Sequence, residues 1–379
     1  MAEHAVATAL LSLLRCALTE QCPPALSAED WRVALTEARR QRVEGLLYAA
    51  ATLAEPDSRP PRDVVLALYA YSRRVEEVNV EMGQQVATLF AVYDGLGAAP
   101  LLLKGHAVAA LYAHPEWRTS GDIDVYVPCN FDRVDRWARV HGKDASPYDP
   151  RVTKHIEFRW RGFSVENHFR LSQFYHRRLN RRLQAACAEG LRREAPAWLE
   201  VGGRQVATLP PTVGLLHLLV HFANHLVSEG VGLRQLCDIV MYVRRRRDEI
   251  DADWLDGQIR ALRLTSLTDA VTTLAVDRLG LAVTEVPYRW RRDERRAAVL
   301  LDLVMESGNY GQGFAVRRWE RRFPRLRKLR LLCRRSRRVA RFVPAELWAA
   351  WVGKTANLCR FGWRALRWRK QVLRQSRLS

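Results

Sequence analysis

The sequence lacks a long uncharged apolar run: no stretch of its 379 residues reaches the ~18 apolar positions that a membrane-spanning helix needs. Its apolar N-terminus has Glu3 and His4 where a signal peptide carries basic residues, and Arg15 interrupts it, so a packed amphipathic helix is expected. The seven cysteines form no CxxC pair and show no spacing typical of metal ligands. These absences argue against a spanning protein, a secreted disulfide scaffold and a zinc finger, and they predict a cytoplasmic protein with reduced thiols.

Acidic residues are nearly absent from the C-terminal segment 315–379, which we call the basic tail. It carries 21 Lys and Arg against Glu320 and Glu346, so it holds +19 of the chain's formal net charge of +20. Aromatic residues are interleaved with the arginines, and positions 344–369 have a helical pattern. Three partners suit this composition: RNA, an anionic membrane surface to which the protein attaches peripherally, or an acidic peptide or protein. A helical cap with an arginine-rich solvent face is the alternative.

Strand-like segments are also few, and they cluster between about 100 and 170, while helical patterns fill most of the rest. The sequence therefore predicts an α+β fold in which a small mixed β-sheet core is flanked by N-terminal and C-terminal helical regions. The expected regions are an N-terminal helical region, the sheet-containing core, a helical domain and the basic tail, at 1–97, 98–200, 201–314 and 315–379.

Caps and periodicity place the individual helices. Ser27 is followed by acids in the first turn, which favours a helix start there, and Asn130 is placed to cap a helix. The expected helices are 4–20, Ser27 through Ala54, 62–96, 106–113, 131–141, 212–228, 233–246, 252–263, 265–280 and 293–306.

The most informative segment joins an apolar run to a pair of acids. The run 101–103 ends at Lys104-Gly105, a pattern typical of a buried strand that breaks into a helix. Seventeen residues after Gly105, Asp122 and Asp124 lie two positions apart on a predicted strand, so both carboxylates leave the same face. Two such carboxylates suit Mg²⁺ (or Mn²⁺) that carries the phosphates of an NTP.

Four residues around this pair are candidates for binding the triphosphate. Gly105 lets the backbone approach a phosphate and Lys104 adds a point charge near a helix start. Arg118 and Ser120 precede the acidic strand and are placed to hold the β- or γ-phosphate. Arg118 has an alternative role as a structural ion pair with Asp122.

A third acid is expected from a neighbouring strand. A two-residue turn at Arg161-Gly162 joins two alternating segments and sets Glu157 opposite Glu166. The same register sets two histidines opposite each other, His155 and His168. Opposed like charges are unfavourable without a compensating cation, so this pairing indicates a site, although nearby basic residues alone could neutralise it. Glu166 is the favoured third acid and metal ligand, with Glu157 as runner-up; either is a candidate base.

Three histidines recur four residues apart in the predicted helix 212–228. His217, His221 and His225 therefore share one face, but the Glu of the metalloprotease pattern H-E-x-x-H is missing. A polar helix face turned toward a cleft is favoured over metal ligation.

Together these motifs resemble the uncharacterised nucleotidyltransferase family of the DNA polymerase beta-like superfamily, over about Trp31 to residue 310. The residues that carry the resemblance are Leu102-Leu103-Lys104-Gly105, Arg118, Asp122-Ile123-Asp124, Val165-Glu166-Asn167-His168, and Leu216-His217 to His221 with Arg234 and Asp238. One departure is His106 after Gly105, where the superfamily prefers Ser or Gly.

The resemblance implies an Mg²⁺-dependent enzyme that transfers a nucleotidyl group from an NTP to a small-molecule or peptide hydroxyl, since related genes lie near natural-product, peptide and polysaccharide biosynthesis genes. Three alternatives stay open: a toxin-like RNA or tRNA nucleotidyltransferase, a catalytically silent binding protein of the same fold, and transfer of the γ-phosphate instead of the nucleotidyl group.

Overall fold

A computed structural model of the protein describes residues 2–150, 153–308 and 333–353. The helices in these ranges are α1 (Ala2–Thr19), α2 (Ala28–Gln41), α3 (Glu44–Thr52), α4 (Arg62–Gly95), α5 (Lys104–Ala109), α6 (Phe131–His141), α7 (Arg177–Arg193), α8 (Pro211–Ser228), α9 (Leu233–Arg246), α10 (Ala252–Ala261), α11 (Thr265–Leu279), α12 (Glu294–Ser307), α13 (333–339) and α14 (344–353). The strands are β1 (Leu101–Leu102), β2 (Ile123–Tyr126), β3 (His155–Trp160), β4 (Phe163–His168), β5 (Ala197–Val201) and β6 (Arg204–Thr208).

The six strands form one mixed sheet in the order β3-β4-β2-β1-β6-β5, which confirms the predicted α+β fold class. The neighbours β2 and β4 run parallel, as do β1 and β6, while the other pairs are antiparallel. The hairpin of β5 and β6, and helix α7 before it, were not anticipated, so the sheet continues to Thr208. The division of the chain into four regions stays a prediction.

Alternation along the strands separates a buried face of the sheet from a polar one. Ile123 and Val125 of β2, and Val165 of β4, pack into one apolar cluster with residues of α4 and α6. The residues between them, Asp124 and Glu166, therefore project from the opposite face.

Helix α4 links the two large cores of the molecule. At 34 residues it is about 50 Å long. Its first half contributes Val64 and Leu68 to the core of the helical regions, and its second half contributes Met82 to Tyr93 to the core under the sheet. Helix α4 therefore packs against both the helical regions and the sheet.

Most predicted helices are present, with two corrections in the N-terminal half. Ser27 begins α2 with a capping box formed with Asp30, but the segment expected to continue to Ala54 breaks at Arg42, whose φ of 58° is left-handed. Asn130 does not cap α6: its own φ is 54°, and its side-chain amide donates to the carbonyl of Gly97 instead.

The described part of the basic tail is α13 and α14, which pack on the body through Val339, Phe342 and Leu347. The predicted helix 344–369 is helical through 353, and its remainder lies outside the described residues. The six described cysteines are free thiols. Among the described residues, no helix has both the length and the apolar character needed to cross a bilayer.

Candidate active site

Three carboxylates meet on the polar face of the sheet. Asp122 directly precedes β2, Asp124 lies within it, and Glu166 lies opposite Asp124 on the parallel strand β4. A ligand oxygen from each of the three lies within 4.8 Å of the others. The sequence predicted that Asp122 and Asp124 lie on the same face of a strand, whereas the parallel pairing that adds Glu166 depends on the folded sheet.

The hairpin register that was predicted from Arg161-Gly162 is confirmed, with Glu157 opposite Glu166 and His155 opposite His168. Both turn residues have positive φ, at 49° and 90°, as the favoured tight hairpin turns require. Glu157 is nevertheless exposed and accepts a hydrogen bond from Ser164 at 3.0 Å. Of the two acids left open by the sequence, Glu166 is the one that lies with the aspartates.

Lys104 inserts its ammonium among the carboxylates. Its Nζ lies 2.7 Å from Asp124 Oδ1, with 13% of the side chain exposed for the lysine and 3% for the aspartate. Lys104 has a φ of 41°, which costs an L-residue about 1–2 kcal/mol. The six-residue helix α5 that it opens is kinked at Gly105, whose φ and ψ are 15° and −101°. The strand-to-helix break was predicted correctly, but the helix is shorter than expected.

One histidine, His168, contacts two of the acids, Asp124 and Glu166. His168 is fully buried, and its Nε2 lies 2.9 Å from Asp124 Oδ1 and 3.1 Å from Glu166 Oε2. The proton on this nitrogen can be shared by both carboxylates, which fixes their positions. The other ring nitrogen, Nδ1, is buried and has no hydrogen-bond partner among the described residues.

The three acids differ in their readiness to take up a proton. Repulsion by Asp124, together with burial, raises the pKa of Asp122 to about 6. Burial also acts to raise the pKa of Asp124, but the Lys104 ammonium and the hydrogen bond from His168 outweigh it, so this pKa is lowered. The pKa of Glu166 is likewise lowered, because the imidazoles of His155 and His168 outweigh burial. Asp124 and Glu166 are therefore held ionised, whereas repulsion and burial oppose the ionisation of Asp122.

Arg118 does not pair with Asp122. Its guanidinium grips Asp238 of α9 through two bonds, Nε–Oδ1 at 2.8 Å and Nη2–Oδ2 at 2.6 Å, and Tyr112 donates a third bond to the same carboxylate at 2.8 Å. Arg118 and Asp238 are 7% and 6% exposed. Asp238, 120 residues away in the sequence, therefore anchors the loop that leads into β2.

The carboxylates open onto a cavity of about 810 Å³, within the range of about 300–1,000 Å³ that is usual for ligand pockets. Lys104, Gly105, Arg118 and Ser120 all line it, together with the acids. The four predicted phosphate-binding residues thus line one cavity. Arg118 lines it while its guanidinium is paired with Asp238.

Comparison with known proteins decides the family. The model of a family described as uncharacterised nucleotidyltransferase matches residues 27–280. The protein belongs to this nucleotidyltransferase family. The crystal structure of an antigenic nucleotidyltransferase-like protein from Paracoccidioides brasiliensis is similar over 52% of this chain and 92% of that chain, at 14% identity and a TM-score of 0.29, which is too weak to support an argument about function. No curated protein matches the chain.

Three basic residues of this nucleotidyltransferase were not predicted as site residues: Arg42, Lys154 and Arg234. Arg234 was named only as part of the family resemblance. All three line the cavity. Arg234 donates from Nη1 to the carbonyl of Thr119 at 3.0 Å, and its buried Nε has no hydrogen-bond partner among the described residues. The buried Oγ of Ser120 likewise has none. Both residues line the cavity that also contains the acids, where an anionic group would satisfy these unpaired donors.

The histidine-bearing face of α8 forms the opposite wall, as expected. The rings of His217 and His221 stack with centroids 6.1 Å apart, and those of His221 and His225 lie 4.3 Å apart. His221 and His225 line the cavity, whereas His217 lies behind them and contacts Ser172 at 3.2 Å. Burial lowers the pKa of both His217 and His221 well below the usual value, so these two rings are neutral at neutral pH.

His106, which stands where the superfamily prefers Ser or Gly, does not obstruct the cavity. Its Nε2 lies 3.4 Å from the backbone carbonyl of Asn79, and it is not among the residues that line the cavity. The larger side chain in place of Ser or Gly therefore turns away from the acids, and it removes a hydroxyl without obstructing the site.

The donor set fits a divalent oxygen-seeking cation. Three carboxylates that repel one another sit beside a wall of cationic and amide-rich groups, and the Lys104 ammonium already occupies a cation position against Asp124. Mg²⁺ is usually held by one or two carboxylates together with substrate phosphates and water. Asp122, Asp124 and Glu166 are the residues that would hold it.

Proposed function

We propose that the protein is an Mg²⁺-dependent nucleotidyltransferase that moves an NMP group from an NTP to a hydroxyl of a small-molecule or peptide acceptor and releases pyrophosphate. The observation that carries the proposal is the meeting of three carboxylates, Asp122, Asp124 and Glu166, at the wall of a cavity whose adjoining side carries unpaired cationic and hydroxyl donors.

The bound ion would neutralise phosphate charge and lower the pKa of the attacking hydroxyl. Asp122, Asp124 and Glu166 supply the negative charge that retains it. The lowered pKa of Glu166 suits a permanently ionised ligand better than a base that must accept a proton. In the metal-free site, Asp122, with a pKa of about 6, is the acid of the three that takes up a proton most readily.

The triphosphate would lie along Lys104, Ser120 and Arg234. Burial lowers the pKa of Lys104, but Asp124 and the other acids raise it further, so the side chain stays charged. If Asp124 held a divalent ion, Lys104 would be available to bind a phosphate oxygen. Arg118 supports the same wall from its pair with Asp238 and donates to the backbone carbonyl of Thr119.

The acceptor would occupy the side of the cavity formed by α8 and the segment 173–175. This side carries aromatic and polar groups from Phe174, Tyr175, His221 and Asn224, and Glu229 directly after α8 adds a carboxylate. Such a wall suits a polar, hydroxyl-bearing acceptor that is held by stacking and hydrogen bonds.

Transfer of label distinguishes the proposed reaction from its alternatives. The protein is incubated with Mg²⁺ and α- or γ-labelled NTPs in the presence of hydroxylated metabolites, peptides or RNA, and products are identified by mass. The proposal expects α-label on a small or peptidic acceptor, free labelled pyrophosphate from the γ-label, and neither product with Asp122→Asn. Label transferred only from the γ-position, or only to RNA, would contradict it.

A further inference from the structure

A second group of potential metal ligands lies directly beside the three acids. His155 of β3 and His168 of β4 face each other across the hairpin, and Glu166 lies between them. One ligand atom from each lies within 4.8 Å of the others. Two imidazoles and one carboxylate make a different donor set from the all-oxygen site formed by Asp122, Asp124 and Glu166.

The distances match neighbouring ligands around one ion. Glu166 Oε2 lies 3.1 Å from His155 Nδ1 and 3.1 Å from His168 Nε2. Ligands at about 2.0–2.2 Å from a shared metal ion are roughly 2.9–3.5 Å apart, whether the geometry is octahedral or tetrahedral. The two ring planes are inclined at 74°, with centroids 4.9 Å apart, so the rings approach the carboxylate from different directions.

The orientation of His155 separates ligation from simple hydrogen bonding. Its Nδ1 is buried and lies 3.1 Å from Glu166 Oε2 as an ion-pair contact, but this contact does not meet the angular criteria of a hydrogen bond. A hydrogen-bonded nitrogen points at its acceptor, whereas two ligands of one ion both point at the ion between them. A bound cation would give this buried nitrogen a well-aligned partner.

His168 can join the same ion without losing a hydrogen bond at its other nitrogen. Ligation through Nε2 requires the neutral ring to carry its proton on Nδ1. Nδ1 has no partner among the described residues in either tautomer. The ion would also take over the bridge that a proton on Nε2 can make between Asp124 and Glu166.

We propose that His155, His168 and Glu166 form a second metal site that selects a divalent first-row transition ion, Zn²⁺ ahead of Mn²⁺, with Glu166 bridging to the Mg²⁺ site. Imidazole favours Zn²⁺, Co²⁺ and related ions, whereas Mg²⁺ prefers oxygen donors, so the two sites select different ions. The inference does not depend on nucleotidyl transfer, because metal content and ligand type report on it directly.

The test uses the tag-free, full-length chain equilibrated with Zn²⁺ in excess Mg²⁺. Bound metal is counted by elemental analysis, and zinc-edge X-ray absorption reports imidazole ligands. We expect one Zn²⁺ per chain with imidazole scattering, at least tenfold weaker Zn²⁺ binding in His155→Asn, and unchanged binding in His141→Asn, a surface control on α6. Asp122→Asn should keep Zn²⁺ while losing Mg²⁺-dependent nucleotide binding, and Glu166→Gln should weaken both.

A ligand exchange guards against misfolding of the first variant. His155→Asp should restore metal binding but shift the preference from Zn²⁺ toward Mn²⁺, because it replaces an imidazole by an oxygen donor. Equal Zn²⁺ binding by the wild type and His155→Asn would overturn the proposal. So would absence of imidazole scattering in the wild type, or loss of Zn²⁺ in His221→Asn instead of His155→Asn.

Discussion

The Nζ of Lys104 lies 2.7 Å from Oδ1 of Asp124, and this short ion pair occupies the centre of the three-carboxylate cluster. A buried ion pair is costly to break from one side, because the remaining charge loses its partner in a poorly solvated place. The pair therefore has two consequences: it keeps Asp124 ionised without a metal, and it makes Asp124 dependent on a cation.

Replacing Lys104 tests that dependence. In Lys104→Met the Asp124 carboxylate keeps only His168 as a neutral partner, and we expect the free energy of unfolding to fall by about 3–5 kcal/mol. Mg²⁺ should then raise the melting temperature more in the variant than in the wild type, since the ion replaces the missing charge. Lys143→Met, at an exposed lysine, should behave as the wild type. Equal Mg²⁺-induced shifts in all three proteins would show that the ion does not bind at Asp124.

Asp122 should lower stability above its pKa. Its folded pKa of about 6 is raised above the ordinary value of 3.8, so its stabilising contribution is present below pH 4 and is lost as pH rises through 6. Asp122→Asn removes the ionised form and should stabilise the metal-free protein at pH 8 by about 1–3 kcal/mol, with no gain near pH 4. Urea unfolding at the two pH values measures this difference. A variant that is less stable than the wild type at pH 8 would contradict the repulsion.

The ion pair of Arg118 and Asp238 should matter far more than an exposed pair of similar length. Asp238→Asn leaves the buried guanidinium without its counter-charge, and we expect a loss of about 3–5 kcal/mol in the free energy of unfolding. The matched control is Asp63→Asn, whose partner Arg32 lies 3.0 Å away with both side chains about half exposed or more. That variant should unfold as the wild type does. Similar losses in both variants would remove Asp238 as the anchor of the loop.

Gly45 should tolerate no side chain, because it allows α3 to approach the loop before the acidic strand. A Cβ at this position would lie 1.9 Å from the carbonyl oxygen of Trp117. Gly45→Ala should therefore lower the melting temperature and weaken nucleotide binding by displacing residues 117–121. Gly257→Ala, inside α10 with nothing within 4 Å of the added carbon, should instead stabilise by about 0.5–1 kcal/mol. If Gly45→Ala binds nucleotide as well as the wild type does, the packing of α3 does not affect the nucleotide site.

Local patterns predicted much of this molecule. The Arg161-Gly162 turn determined the register of its hairpin residue by residue, since two-residue loops allow few pairings. The acids at 122 and 124 were found because strand alternation is a strictly local property. The five helices from α8 to α12 were placed to within about three residues at each end, since their apolar periodicity is strong.

What the sequence left undetermined depends on contacts between distant segments. Nothing near Arg118 indicates that Asp238 is its partner, and the choice of Glu166 over Glu157 follows from the parallel pairing of β2 with β4. The β5–β6 hairpin did have a signal, since Gly202-Gly203 separates two short alternating segments. The break after α2 had none, because Arg42 ends the helix in a left-handed conformation that is typical of Gly or Asn and unusual for Arg.

Equilibrium titration of ATP, GTP, CTP and UTP, with and without Mg²⁺, tests the central claim most directly. The proteins compared are the wild type, Asp122→Asn, and Asp132→Asn, an exposed acid on α6 that serves as control. We predict Mg²⁺-dependent binding of at least one nucleotide, unchanged in Asp132→Asn and weakened at least tenfold in Asp122→Asn, which corresponds to about 1.4 kcal/mol or more. No nucleotide binding by the wild type, or equal binding by Asp122→Asn, would contradict the assignment of the three carboxylates as a metal–nucleotide site.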